Sequence, residues 1–269
     1  MRPNPAFEEA GVMAFDGLKE RFESDGILLL RMAEPERRNA LSDAMRAALR
    51  DALHRAHADR QVRAIVLSGS DGCFCAGGDI KAMGQPIPIA MERLEVVHDI
   101  VRLIALGPKP VVAAVDGAAY GGGMSLALCC DAVVAAEGAR FCASFGRIGL
   151  VPDMGIMWSL PRRVGAARAQ QILLDGRERG GAEAVETGIA DILSMGDPVP
   201  QALATARALT PAAPLPAAHL RPIIARCHGD LDAVLNAERE AQEALFATRD
   251  HEEARRAFLE KRLPQFIGT

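Results

Sequence analysis

Two glycine-bearing segments carry the residue types most suited to chemistry. One is Cys73-Phe74-Cys75-Ala76-Gly77-Gly78-Asp79-Ile80, beyond an apolar strand that starts near Ala64. The other is Asp116-Gly117-Ala118-Ala119-Tyr120-Gly121-Gly122-Gly123, beyond a strand that starts at Val111. Each puts glycines just after a strand and just before a helix. There the backbone can approach a ligand closely and aim N–H groups at it. Side by side, two such loops would make a two-pronged oxyanion hole for a carbonyl that gains negative charge. Either loop alone reads equally well as an ordinary turn. Neither matches a dinucleotide fingerprint or a phosphate-binding loop followed by Gly-Lys-Ser/Thr.

The elements that must hold these loops follow from hydrophobic period. Gly26–Met32, Ala64–Leu67, Val111–Val115 and Val133–Ala136 read as short buried strands. Between them, Ser42 can cap a helix with Met45, Leu49, Ala52, Leu53 and Ala56 on one face. His98–Leu106 is helical in period, and Gly121-Gly122-Gly123 opens a short apolar helix through Cys130. Alternation of strand and helix predicts an α/β core with parallel pairing. After Gly155 the pattern is helical: Gly165–Asp175, Ala182–Thr187, Pro200–Leu209, Leu231–Thr248 and Glu252–Arg262. The division is a core over residues 1–210 and a C-terminal helical region over 211–269, set off by the proline-rich piece from Pro211 to Pro216. That region has few core partners of its own, so it is expected to pack against another subunit.

With 269 residues and 49% hydrophobic content, the chain can bury a sizeable core. Its 31 basic and 35 acidic residues give no reason to expect a nucleic-acid surface. Cys73, Cys75, Cys129, Cys130, Cys142 and Cys227 form no zinc pattern and read as buried free thiols, which suits a reducing compartment. Glu8, Glu9 and Asp16 rule out a signal peptide over the N-terminus, and no uncharged run reaches a membrane span's length. A cytoplasmic location, with no membrane partner, is expected.

An ordered set of motifs resembles the crotonase superfamily, the enoyl-CoA hydratases and isomerases, from Pro35 almost to the C-terminus. The set comprises Arg38-Asn39-Ala40-Leu41, Phe74–Ile80, Lys109–Gly117, Gly121-Gly122-Gly123, Gly149-Leu150-Val151-Pro152-Asp153 and Ala257–Arg262. The resemblance implies a spiral of ββα turns with a C-terminal helical oligomerisation region. It implies a homotrimer or hexamer, and an acyl-CoA thioester as partner. Coenzyme A would enter as part of the substrate, with no prosthetic group. By position it implies oxyanion donors at the N–H groups of Ala76 and Gly122, and an adenine pocket near Gly78, Asp79 and Ile80. Arg37 or Arg38 would meet the coenzyme A phosphates, and Lys261 would approach the nucleotide from a neighbouring subunit. For the three basic residues the alternative is plain surface charge.

The chain departs from that family's hydratases at both water-handling glutamates. Ser125, just past Met124, stands at one position and Phe145 at the other. Neither can act unaided as a base. Asp153 is the remaining acidic candidate; its apolar neighbours would raise its pKa toward a range useful for proton transfer. The resemblance places it with the proton shuttle of some enoyl-CoA isomerases, including the isomerase of phenylacetate breakdown. It also places it with the nucleophile of 4-chlorobenzoyl-CoA dehalogenase, whose water-activating histidine His98 matches in position. The alternatives are that Asp153 caps a helix starting near Gly155 and that His98 is a partly buried helical residue. Tyr120 and Trp158 read as packing residues. Met83–Glu92, with Pro86 and Pro88, reads as a mobile loop over the acyl pocket. The expected activity is double-bond isomerisation. Atypical hydration, nucleophilic dehalogenation or thioester hydrolysis, and non-catalytic acyl-CoA binding are the rivals.

Overall fold

A computed structural model describes residues 15–210, 213–226 and 230–269, and for Lys81 the backbone only. The expectations for the extreme N-terminus and for Cys227 lie outside the described residues.

The described residues begin with a hairpin, β1 (Leu18–Phe22) and β2 (Ile27–Met32), and the helix α1 (Asp43–Ala58). The Ser42 side chain caps α1 by accepting the N–H of Met45, and Met45, Leu49, Ala52, Leu53 and Ala56 are its buried face. Three similar turns follow, each of one long strand, one short strand and a helix. They are β3 (Ala64–Ser68), β4 (Cys73–Cys75) and α2 (Ile87–Leu106); β5 (Val111–Val115), β6 (Ala118–Tyr120) and α3 (Gly122–Leu128); and β7 (Ala132–Ala136), β8 (Arg140–Cys142) and α4 (Ile156–Val164). The helices α5 (Ala166–Asp175), α6 (Gly181–Thr187) and α7 (Pro198–Ala208) come next, with β9 (Arg179–Gly180) and β10 (Ile192–Ser194) between them. The C-terminal helices are α8 (Pro214–Arg226), α9 (Leu231–Phe246) and α10 (Arg249–Leu259).

The five- and six-residue strands share one sheet, with the three-residue β10 at its edge, and the other short strands form a second. The first sheet has the order β1-β2-β3-β5-β7-β10 and the second β4-β6-β8-β9. From β2 through β10 every neighbour in the first sheet is parallel, as are β4–β6 and β6–β8. This is the spiral of ββα turns. Side chains alternate across the first sheet, as strand geometry requires. Leu28, Leu30, Ile65, Leu67, Val111, Ala113 and Val133 face the spiral's interior. Ile27, Leu29, Ala64, Val66, Val112, Ala114 and Val134 face outward and are covered by Ala202, Leu203 and Ala206 of α7.

The four-residue segment Arg38–Leu41 is held by a buried amide. Asn39 has φ 53°, a left-handed conformation asparagine tolerates better than most residues. Its Nδ2 donates to the carbonyls of Cys73 (2.7 Å) and Ser70 (3.2 Å), and its Oδ1 accepts the N–H of Glu34 (2.9 Å). Asn39→Ala would take these side-chain partners from the Cys73 carbonyl and the Glu34 N–H in a buried site, so a loss of about 2–4 kcal/mol is expected in urea denaturation. A change under about 0.5 kcal/mol, the range of an ordinary surface substitution, would show that the amide is not holding the loop.

The helical region is less detached than its sequence suggests. Pro214 and Pro216 open α8 rather than forming a spacer, because proline fits a helix's first turn. Arg221 of α8 is buried and pairs with Asp131, while also donating to the carbonyls of Ile104 (2.6 Å) and Gly107. On α9, Leu245 and the half-exposed Leu235 line a cleft of about 830 Å³ against Pro108–Pro110 and α8, and Leu231 and Phe246 are exposed. Among the described residues, no helix is long and apolar enough to cross a membrane.

Candidate active site

Pairing of β4 with β6, with Cys75 opposite Ala119, sets the two glycine loops side by side. Gly77 has φ +93°, and a Cβ there would stand 2.6 Å from the carbonyl oxygen of Tyr120 and 3.2 Å from the nitrogen of Gly122. Only glycine permits both the conformation and that approach. A Cβ on Gly122 would in turn stand 3.8 Å from the nitrogen of Gly78. The N–H groups of Gly78 and Gly122 therefore lie close together. Neither has an acceptor among the described residues. Gly122 is the first residue of α3, where an N–H has no intrahelical partner.

Ala76 is corrected as an oxyanion donor. Its N–H is spent on the carbonyl of Arg38, at 3.0 Å. The free N–H of the first loop belongs to Gly78, two residues on. Counting along the loop could not show this, because the acceptor that consumes the Ala76 donor, Arg38 O, lies 38 positions earlier in the chain. It is a tertiary contact with no local signature.

The surroundings of the glycine pair are apolar. The sulfur of Met154 and a methyl of Leu41 would lie 2.9 and 3.6 Å from a Cβ on Gly122, and the Met83 methyl 2.8 Å from one on Gly78. Phe145 is buried, with its ring 4.0 Å from a Cβ on Gly121. Ser125 is fully buried on α3. Both positions that lack glutamate therefore lie against the second glycine loop or its helix.

Asp153 is half-buried in the loop between the 3-10 turn Ser144–Ile148 and α4. It does not cap α4: the cap position is Gly155, with no side-chain hydrogen bond. Its main-chain oxygen accepts from Ser125 Oγ at 3.0 Å and from Ile156 N at 3.3 Å. Burial pushes the Asp153 carboxyl above the ordinary aspartate range, and the nearby His98 of α2 pulls it partly back. The two residues are thus within electrostatic reach of each other.

The segments assigned to the nucleotide are adjacent too. Arg37 pairs with Asp79 at 3.4 Å, and Leu41 N donates to Gly77 O at 2.8 Å. Arg37, Arg38 and Ile80 are exposed beside them. Among the described residues no contact brings Lys261 to this cluster: it follows α10, which packs on α9, and it is exposed with no side-chain partner there. The loop expected over Met83–Glu92 is shorter than that, since α2 already begins at Ile87 with proline in its first turn. Tyr120 bonds Glu178, and Trp158 carries the Arg162 guanidinium over its ring at 4.1 Å. The described cysteines are free, and burial pushes the thiols of Cys75 and Cys129 up to about 12. No cluster of potential metal ligands occurs among the described residues.

Known proteins resemble this chain along most of its length. The profile of the enoyl-CoA hydratase/isomerase family matches residues 22–269. A Rhodobacter capsulatus protein carrying the name probable enoyl-CoA hydratase is 40% identical over 260 residues, covering 92% of this chain and 97% of that one. The 1,2-epoxyphenylacetyl-CoA isomerase of Escherichia coli is 35% identical over 253 residues, covering 90% and 95%. The crystal structure of an enoyl-CoA hydratase from Polaromonas sp. JS666 superposes with a TM-score of 0.85 at 34% identity, covering 93% and 99%. The chain belongs to the enoyl-CoA hydratase/isomerase family.

Proposed function

We propose that the protein is an enoyl-CoA isomerase that moves a double bond through an enolate held by Gly78 and Gly122. The observation that carries this reading is Asp153. It is a half-buried carboxyl with a raised pKa near the glycine pair, where Ser125 and Phe145 supply no second acid. The thioester carbonyl oxygen sits between the two N–H groups. The Asp153 carboxylate takes a proton from the α-carbon of a β,γ-unsaturated acyl group, and the electron pair moves onto that oxygen as a dienolate. The same carboxyl returns the proton at the γ-carbon, giving the α,β-unsaturated thioester. One such oxyanion donor is commonly worth about 3 kcal/mol, so two supply much of the acceleration. No prosthetic group is needed. Arg37 and Arg38 meet the coenzyme A phosphates and the adenine lies near Gly78, Asp79 and Ile80. Lys261 reaches the nucleotide from another subunit of a trimer or hexamer. Exposed Leu231 and Phe246 support that assembly; light scattering at micromolar concentration should give three or six copies, and a monomer would contradict it.

The E. coli relative's name, an isomerase of a coenzyme A ester, supports the chemistry. A second reading rests on His98 beside Asp153: a carboxylate nucleophile whose ester is hydrolysed by histidine-activated water. Turnover assays on a β,γ-enoyl-CoA, an α,β-enoyl-CoA and a 4-halobenzoyl-CoA separate these. Conversion of the first is expected. Halide release from the third alone would favour the nucleophile, water addition to the second alone would favour hydration, and binding without turnover of any would favour a non-catalytic acyl-CoA binder.

The base must be ionised to act. Because burial raises the Asp153 pKa, kcat/KM should fall with decreasing pH through a midpoint above the ordinary aspartate value. Raising the ionic strength should leave that midpoint in place if burial dominates, since the cause is desolvation and not surface charge. A profile flat down to pH ~4, about where an unperturbed aspartate titrates, would contradict the assignment.

A further inference from the structure

We infer that Ser125 is a positioning residue for Asp153, and that α3 acts as a rigid spacer fixing the base relative to the oxyanion pair; this rests on the isomerase reading above. The Ser125 hydroxyl has one proton and two acceptors in reach, Asp153 O at 3.0 Å and Gly121 O at 3.3 Å. Gly121 O is already served by the Ser125 main-chain N–H at 3.0 Å. Asp153 O otherwise has only the longer bond from Ile156 N, at 3.3 Å. The hydroxyl therefore matters most at Asp153. One helical turn further along the same face, the Cys129 thiol reaches Met154 O at 3.5 Å. Ser125 of α3 and Cys129 at its C-cap thus grip two consecutive carbonyls of the loop that bears the base. That helix begins with Gly122, which presents the oxyanion N–H. The distance between base and oxyanion is set through α3 and not by the loop alone. A serine suits this position because it donates in little space. A carboxylate at 125 would accept hydrogen bonds only, and would put a second buried negative charge beside Asp153.

The test compares Ser125→Ala, Ser125→Thr, Asp153→Asn and the double variant Ser125→Ala/Asp153→Asn by proton exchange and turnover of a β,γ-enoyl-CoA. Loss of one positioning hydrogen bond should lower kcat about tenfold in Ser125→Ala, with KM unchanged. Ser125→Thr, which keeps the hydroxyl, should recover most of the rate. In the Asp153→Asn background Ser125→Ala should cost little more, because residues acting as a unit are non-additive. Equal losses in both backgrounds, or an unchanged kcat in Ser125→Ala, would overturn the inference. A fully active Asp153→Asn would instead overturn the isomerase reading itself. If Ser125→Ala is poorly folded, Ser125→Cys, with its weaker donor, should show an intermediate kcat at unchanged KM, and a parent-like kcat would count against the role.

Discussion

Asp153→Asn is expected to lower isomerisation by about 10²- to 10⁴-fold, the range associated with a positioned general acid–base group. An amide has nearly the shape of the carboxylate but can neither accept nor return the proton. Thioester affinity should change little, because the proposed nucleotide contacts lie at Arg37, Arg38 and the Gly78–Ile80 segment. Helix α4 should be unaffected, since its cap position is Gly155 and the Asp153 side chain takes no part. Stability moves the other way. The folded-state pKa of Asp153 is raised, so the fold favours the protonated carboxyl. That preference stabilises the fold below the unfolded pKa and is lost as pH rises through the folded one. At neutral pH the parent therefore holds a desolvated charge that the asparagine variant lacks. The variant should melt at the same temperature or higher while having lost activity. A large drop in melting temperature would point to a structural role instead.

Gly122→Pro is expected to cost about 10²- to 10³-fold in kcat, the usual effect of deleting one oxyanion donor. Gly122 is the first residue of α3, where proline's fixed φ and missing N–H are tolerated. The nearest obstacle to an added Cβ is the Met154 sulfur at 2.9 Å, the end of a flexible side chain that can move aside. Circular dichroism and coenzyme A binding should therefore match the parent. A folded variant with parent-like kcat would remove Gly122 from the oxyanion hole. In contrast, Ala76 already uses its N–H on Arg38, so removing that donor would act on the loop's position and not directly on the substrate.

Sequence pattern showed some parts of this structure and not others, for physical reasons. The long strands were legible because both faces of the first sheet are covered, which makes runs such as Ala64–Leu67 continuously apolar. Helix α1 was legible because its cap and all five buried positions follow one period. The three-residue strands Cys73–Cys75, Ala118–Tyr120 and Arg140–Cys142 are too short to show a period, and the resemblance alone implied them. Two helix starts were misread because Pro86, Pro88 and the Pro214–Pro216 pair look like breakers, whereas proline belongs in a first turn. At the site, Asp153 stood out as a carboxylate in an apolar segment. Which loop N–H remains free did not, because Arg38 O decides it from another part of the chain. The hydroxyl of Ser125 looked like a lost glutamate until its bond to Asp153 O gave it a partner.

In the proposed reaction Asp153 moves a substrate proton while the glycine pair holds the enolate. The most direct test follows hydrogen exchange by NMR on a β,γ-enoyl-CoA in deuterated solvent, with the parent and Asp153→Asn at equal, saturating occupancy. The parent should introduce deuterium at the carbons flanking the migrating double bond as it isomerises, and Asp153→Asn should bind the thioester equally well yet exchange at least about 10²-fold more slowly. Exchange in Asp153→Asn at the parent's rate would contradict the account.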